Sequence, residues 1–279
     1  MSLRKFKNSS LNRVLVTGGA GSIGQELVRQ LASDNQVYVY DINETGMFDL
    51  VEELRFKGFD VLGRVGDVRN KDTLMSVFLE FQPHVVYHAA ALKHVTPSMW
   101  TPREYVETNV LGTFNVLELG REFNTSKIIN VSTDKVVNAE SIMGATKNVA
   151  EIATKVYGRI SVRFGNVMGS RGSLLTIWEK QHKEGLPLTI TDEQMERYFM
   201  TIPQAVNLVI EAGKLVKDGE IVILDMGKPK KIMDLKNELY GDYPYKVIGI
   251  RPGETLTQKL MTESEAETAT KAGNFWILK

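Results

Sequence analysis

The stretch from Val131 to Lys147, VSTDKVVNAESIMGATK, puts two hydroxyls (Ser132, Thr133), a carboxyl (Asp134) and an amine (Lys135) on neighbouring residues. Met143 and Lys147 follow four residues apart, a spacing that sets both on one face of a helix. A carboxyl beside an amine can divide acid and base work between them. The amine must first lose its proton, which burial or a nearby cation such as Lys147 favours. The carboxyl must keep one, which burial favours and an adjacent ammonium opposes. These demands are coupled, so they are met or missed by the Asp134–Lys135 pair together.

A second constellation lies upstream. Gly18, Gly21 and Gly24, with Ser22 and Ile23 between the last two, form TGGAGSIG between a β-branched run (Arg13–Thr17) and an amphipathic one (QELVRQLAS). Glycines there let the backbone approach a pyrophosphate, and the free N–H groups of a helix start attract it. A plain strand-to-helix turn has the same spacing. Asp41 ends the next strand-like run, Gln36–Tyr40. A carboxylate there accepts hydrogen bonds from an adenosine ribose and repels a 2′-phosphate, favouring NAD over NADP. Asp41 could instead cap a helix starting near Glu44, a role also open to Asn43. In GDVRN, Asp67 and Val68 could meet an adenine edge, or Asp67 could cap the following helix. The small residues Ala89, Ala90 and Ala91 allow close passage of a cofactor, or simply tight packing.

Alternating strands and helices must position these groups. Hydrophobic spacing predicts helices over Asn43–Lys57, Lys71–Phe81, Glu104–Phe123 and Ile142–Tyr157, and strands over Asp60–Gly63, Val85–Ala90, Lys127–Ser132 and Arg159–Phe164. Leu92–Pro102, carrying Lys93 and His94, reads as a loop, and Asn109 as a solvated or satisfied polar residue within its helix. The expected fold is α/β: a Rossmann-type doubly wound parallel sheet with a smaller, interleaved C-terminal substrate lobe. Residues 1–165 would be mainly the dinucleotide-binding domain and 166–279 mainly the lobe. The lobe opens on a glycine-rich loop, Gly165–Ser173, and continues through a helix (Thr201–Leu215), a strand (Ile221–Asp225), a short helix (Ile232–Leu239) and a strand (Tyr245–Ile250) into RPGET. The acidic, polar tail Met261–Asn274 reads as peripheral.

Composition removes several functions. Thirty-four Lys and Arg balance 34 Asp and Glu, so no net basic field points to nucleic acid. There is no cysteine, which excludes disulfides, thiolate nucleophiles and zinc–thiolate sites, and the 4 histidines show no ligand spacing, so no metal is expected. No run approaches the roughly 20 apolar residues of a membrane span. The basic N-terminus MSLRKFKNSSLNR has no apolar signal segment, and a soluble cytoplasmic protein is expected.

With the glycine turn, Asp41, GDVRN, the alanine run, STDK and MGATK in order, the chain resembles the extended short-chain dehydrogenase/reductases. More narrowly it is similar to the UDP-N-acetylglucosamine 4,6-dehydratases of polysaccharide biosynthesis. The likeness runs over roughly residues 12 to 258 and includes AALKHV, TNVLGT, RFGNVMGSRGS, RYFMT and RPGE. It implies that Thr133, Asp134 and Lys135 are the active-site hydroxyl, acid and base. It also implies a UDP-N-acetylhexosamine substrate, NAD as cofactor and a homo-oligomer. Lys93 would contact substrate, Asn166 and Arg197 would hold phosphate or sugar, Arg251 the diphosphate and Glu254 the uridine ribose. One departure stands out: most of the superfamily carry tyrosine four residues before the lysine, and this chain has Met143. A thioether cannot take a proton at neutral pH, so the sugar 4-hydroxyl proton must leave through Thr133 and water or to a lysine. A UDP-sugar epimerase or reductase, and a non-catalytic dinucleotide sensor, are the competing readings.

Overall fold

The computed structural model describes residues 11–215, 217 and 219–279. The expectation made of the basic N-terminal segment falls, up to Ser10, outside the described residues.

The first half alternates strand and helix as its periodicities require. β1 (Asn12–Thr17), α1 (Ser22–Leu31), β2 (Asn35–Asp41), α2 (Glu44–Phe56), β3 (Val61–Val65), α3 (Lys71–Phe81) and β4 (Val85–His88) come first. α4 (Val95–Trp100) and α5 (Pro102–Tyr105) follow, then a π-helical turn (Val106–Leu111), α6 (Gly112–Glu122), β5 (Lys127–Val131), α7 (Ile142–Val156) and β6 (Ile160–Arg163). The later half is made of β7 (Asn166–Met168), α8 (Leu174–Lys183), β8 (Leu188–Ile190), β9 (Glu196–Arg197), β10 (Phe199–Thr201), α9 (Ile202–Leu215) and β11 (Ile221–Leu224). It ends with β12 (Lys230–Lys231), α10 (Ile232–Tyr240), β13 (Tyr245–Val247), α11 (Glu263–Thr268), β14 (Thr270–Ala272) and β15 (Phe275–Leu278).

Nine strands form one sheet in the order β14-β15-β11-β6-β5-β4-β1-β2-β3. It is parallel from β3 to β11, with β15 and β14 added antiparallel. This is a Rossmann-type doubly wound sheet, and its strand order reverses between β1 and β4, where such sheets open a crevice. Side chains alternate across the pleat: Val14, Val16, Val37 and Val39 pack toward α1, α2 and α9, while Leu15, Tyr38 and Tyr40 pack toward α3 and α6. Register then levels the strand ends. Thr17 pairs with Tyr40 and with His88, and His88 with Asn130. The glycine turn, Asp41, Ala89 and the STDK segment therefore leave the sheet along one edge. Three two-stranded ladders, β7/β10, β9/β12 and β8/β13, lie outside the main sheet. A separate core of Trp178, Leu188, Ile190, Met195, Ile232 and Leu235 supports the later ones.

Four expectations need correction. Leu92–Pro102 is not all loop, since α4 forms within it. Glu104–Phe123 is not one α-helix, because a π turn interrupts it at Asn109. That buried side chain accepts from Leu92 N–H at 2.8 Å and donates to Leu92 O at 2.9 Å and Thr146 Oγ1 at 3.1 Å, work that draws the helix out of regular register. The Gly165–Ser173 loop contains β7. The tail is not peripheral: Thr270–Ala272 is an edge strand of the main sheet, and Leu260, Met261 and Ala269 pack on Ile221, Ile223 and Leu278.

Candidate active site

The glycines divide their labour. Gly18 sits at φ +68°, and a Cβ there would come within 2.5 Å of Ala90 N; one at Gly24 would lie 2.0 Å from Gly18 O. Both are needed for the turn to close against β4 and α1. Gly21 differs, because an added Cβ would meet only Gly18 O, at 3.1 Å, and the residue lines two cavities. It is the N-cap of α1 and offers no side-chain cap, leaving the helix start open to a ligand.

Asp41 does not cap α2. Asn43 does, accepting from Gly46 N–H at 3.0 Å. Asp41 instead accepts from Ala20 N–H and Asn43 N–H, each at 2.8 Å, and so pins the glycine turn to the end of β2. Likewise Asn70, not Asp67, caps α3. Asp67 is held below the ordinary carboxylate range: burial opposes this, but hydrogen bonds from Arg69 outweigh it. Asp41, Asp67, Val68, Ala89 and Ala90 line a cavity of about 300 Å³ that also reaches Gly18 and Gly21.

A larger cavity, about 550 Å³, runs from the glycine turn to the STDK segment. Ser22, Ile23 and Gly24 line one end, and Thr133, Lys135, Met143 and Lys147 the other. Backbone bonds place the latter group: Ser132 N–H donates to Val162 O at 2.7 Å and Asp134 N–H to Phe164 O at 3.0 Å, extending β5 beyond its last strand residue. Ser141 caps α7 by accepting from Gly144 N–H at 3.1 Å. A Cβ on Gly144 would lie 2.3 Å from Lys135 O, so this glycine lets α7 press directly on the turn that carries Lys135.

Lys135 Nζ donates to Asp134 Oδ1 at 2.9 Å, Asn166 Oδ1 at 2.9 Å and Gln258 Oε1 at 3.2 Å, which uses all three ammonium hydrogens. Thr133 Oγ1 donates to Asp134 Oδ1 at 3.0 Å. The Asp134 side chain is 0% exposed, and its Oδ2 has no hydrogen-bond partner among the described residues. It does not line the large cavity. It faces a third one, about 230 Å³, on the other side of Lys135. Ser132, Thr133 and Lys135 are therefore the members of the motif that meet the large cavity, with Asp134 behind them.

Met143 is buried, and its N–H donates to Ser98 Oγ at 3.1 Å. Lys147 Nζ donates to Val131 O at 2.6 Å. Burial pushes Lys147 down to about 8, against the opposing pull of Glu151. His88 lies beneath, between Thr17 Oγ1 and Thr113 Oγ1, at 2.7 and 3.0 Å. Burial first, and Lys147 second, push it down to about 3, so it stays neutral and structural. Among the described residues no cluster of three or more His, Asp or Glu could hold a metal ion.

The residues expected to hold substrate separate into two sets. Lys93 and Asn166 line the large cavity; Arg197, Arg251 and Glu254 line none of the three. The buried Arg197 guanidinium donates to Glu196 O at 2.7 Å, Leu256 O at 2.9 Å and Thr255 O at 2.6 Å, so it straps the Thr255–Leu256 backbone. Burial pushes it down from the ordinary arginine value, against Asp134 and Glu254. Glu254 Oε2 is buried without a partner among the described residues.

Three contributors escape sequence reasoning. Gln258 reaches Lys135 across 123 positions, a contact no spacing rule reveals. Glu151 accepts from Ser132 Oγ at 2.6 Å and pairs with Arg163, which also donates to Glu265 Oε1 at 2.9 Å. Glu151 stands four residues after Lys147 on α7, which could have flagged it. Arg171 lines both larger cavities; its place in GSRGS between two glycines was the available signal.

Residues 14–279 match the family described as polysaccharide biosynthesis protein. The chain belongs to this family. Its strand order and motifs also make it an extended short-chain dehydrogenase/reductase. CapD, a capsular polysaccharide biosynthesis protein of Staphylococcus aureus, is 40% identical over 90% of this chain and 45% of its own. The chain thus spans about half the length of that relative. A Methanocaldococcus jannaschii protein named only as an uncharacterized membrane protein is 44% identical over 90% of this chain and 81% of its own. No helix among the described residues here is long and apolar enough to cross a membrane. A UDP-N-acetylglucosamine 4,6-dehydratase (inverting) of Campylobacter jejuni is 31% identical over 95% of this chain and 82% of its own. Among solved structures, Pen from Bacillus thuringiensis superposes with a TM-score of 0.89 at 35% identity, covering 95% of this chain and 87% of that one. The Thermus thermophilus UDP-glucose 4-epimerase complex with NAD gives 0.75 at 28%, covering 88% and 89%.

Proposed function

We propose that the chain is an NAD-dependent UDP-N-acetylglucosamine 4,6-dehydratase. It would give a UDP-4-keto-6-deoxy-N-acetylhexosamine by internal hydride transfer and loss of water. The observation that carries the reading is the Thr133–Asp134–Lys135 cluster at the end of a cavity that begins at the glycine turn. An epimerase needs no acid–base pair for C5 and C6; a dehydratase does. The 31% identity to the Campylobacter jejuni enzyme supports the same substrate.

The residues present suit the dinucleotide. Gly21 leaves room at an uncapped helix start, and Asp41 puts a carboxylate where a ribose hydroxyl is welcome and a 2′-phosphate is not. A dinucleotide bound there would supply the hydride acceptor and donor that the internal transfer needs. Proton movements fall to the chain. Lys135, once neutral, takes the C5 proton, and one solvent-exchangeable proton is returned to C5 once C6 has received its hydride; Asn166 and Gln258 orient the Lys135 Nζ. Asp134 supplies the proton on which the C6 oxygen leaves as water. Because Thr133 Oγ1 bonds Asp134 and lines the large cavity, it passes that proton on: it receives one from the carboxyl as it gives its own. With Met143 unable to act as a base, Thr133 through water and Lys147 remain to take the proton of the C4 hydroxyl.

Lys93 and Asn166 contact the sugar nucleotide directly in this reading. Arg197 acts through the Thr255–Leu256 backbone it holds, and Arg251 and Glu254 approach the UDP. Residues up to 165 mainly serve the dinucleotide and later ones mainly the substrate. A cytoplasmic homo-oligomer acting on a soluble nucleotide sugar completes the proposal. Incubation with UDP-N-acetylglucosamine and mass spectrometry of the nucleotide product tests it. Loss of one water is expected; an unchanged mass contradicts it and favours the epimerase.

A further inference from the structure

The two larger cavities share a wall made by Gly18, Gly21, Ala89, Ala91, Leu92 and Arg171. Arg171 is the charged side chain on that wall. Its backbone N–H donates to Ser22 Oγ at 3.0 Å, so the loop it belongs to rests on the first turn of α1. Gly169 and Gly172 bracket it at φ +74° and +68°, the left-handed conformations that fold this loop back.

The charge of Arg171 is uncompensated. It forms no ion pair with a carboxylate among the described residues, whereas Arg69, the other arginine on the smaller cavity, is engaged by Asp67, Glu104 and Glu107. The effect reaches its neighbour: Lys93, although open to solvent along one side, is pushed below the ordinary lysine value by burial, then by Arg171 and Lys135. Ser173 Oγ, on the same loop and lining the large cavity, is buried without a partner. On the lining of the larger cavity Lys93, Arg171 and the spare Ser173 hydroxyl stand together with no carboxylate among them.

We propose that Arg171 clamps the pyrophosphate of the bound dinucleotide at the junction of the two cavities. With the adenosine on the Asp41 side and the nicotinamide on the Lys147 side, the group spanning the junction is the pyrophosphate. The planar guanidinium fork can donate two parallel hydrogen bonds to it while the N–H groups of α1 hold its other oxygens. Arg171 lies between β7 and α8, and Asn166 opens β7, so the segment that touches the sugar end also fastens the cofactor. This inference rests on the dinucleotide reading of the cavities and not on the dehydration.

Calorimetric titration of wild type, Arg171→Met and Arg171→Lys with NAD, adenosine and UDP tests it. NAD should bind Arg171→Met about 10- to 100-fold more weakly, the worth of a charge-assisted hydrogen bond or two. Arg171→Lys, which keeps the charge and loses the fork, should fall between. Adenosine and UDP affinities should stay within about twofold, and an unchanged melting temperature confirms an intact fold. Unchanged NAD affinity in Arg171→Met overturns the proposal, as does a fall in UDP affinity with NAD binding retained, or a wild type that binds neither NAD nor NADP. Product mass, read separately, decides the dehydratase reading without touching this comparison.

Discussion

On the glycine-turn side, the groups that shape the cavity are brought together by strands in register: β1 beside β2 sets Gly18 near Asp41, and β1 beside β4 sets it against Ala90. On the side built after Asn166, the contacts are side-chain reaches across long separations. Gln258 touches Lys135, Arg197 straps Thr255 and Leu256, and Glu265 joins Arg163. In the proposed reading the first region would hold its ligand mainly with backbone, the second with charges and amides. A backbone site fails when atoms are added to it, and a side-chain site fails when atoms are removed.

The largest expected break falls where the two regions meet. Lys135→Ala should lower dehydration by about 10²- to 10⁴-fold, the usual worth of a positioned acid–base group, while NAD affinity stays within about twofold. Turnover assays beside calorimetry check this, and retained turnover would return the base role to another residue. Within the second region, Arg197→Met removes three bonds to carbonyl oxygens from a buried guanidinium. Hydrogen bonds to charged groups contribute about 1.5–3 kcal/mol each, so urea unfolding should show a loss of at least about 3 kcal/mol. UDP affinity should fall with it, and NAD affinity should not. The smallest effect is a pH slope. Lys147 titrates at about 8 in the fold against 10.5 for the free side chain, so between those values the unfolded chain binds more protons. Its burial therefore penalises folding fully below about pH 8, and the penalty fades as pH rises to 10.5. Relative to Lys147→Met, wild-type stability should climb by about 1 kcal/mol per pH unit across that window. A flat difference would mean that the amine is hydrated in solution.

The same contrast explains what the sequence made legible. Strands β1 to β6 follow from short apolar runs and α1, α2, α3 and α7 from 3.6-residue spacing, and the glycine turn, Asp41 and STDK fall at strand ends because parallel register is local to neighbouring strands. Choosing between Asp41 and Asn43 as the cap of α2 required coordinates, since both residue types suit the role. For Asn109 the sequence leaves open a solvated or a satisfied side chain; it is buried and satisfied, and its π turn depends on a partner, Leu92, outside its own helix. The tail looked peripheral because composition weighs Glu263 to Glu267 and not the short pairing of Thr270–Ala272 with β15. Gln258 and Arg171 carried no periodic signal, since loops meeting in space leave no spacing behind.

The central claim, elimination across C5 and C6 by the Lys135 cluster, is tested most directly by NMR of the product formed from UDP-N-acetylglucosamine in deuterated water. Removal of the C5 proton by an amine that exchanges with solvent predicts a 4-keto-6-deoxy sugar with deuterium at C5. A product that keeps its C6 hydroxyl, or an eliminated product with no deuterium at C5, would contradict it.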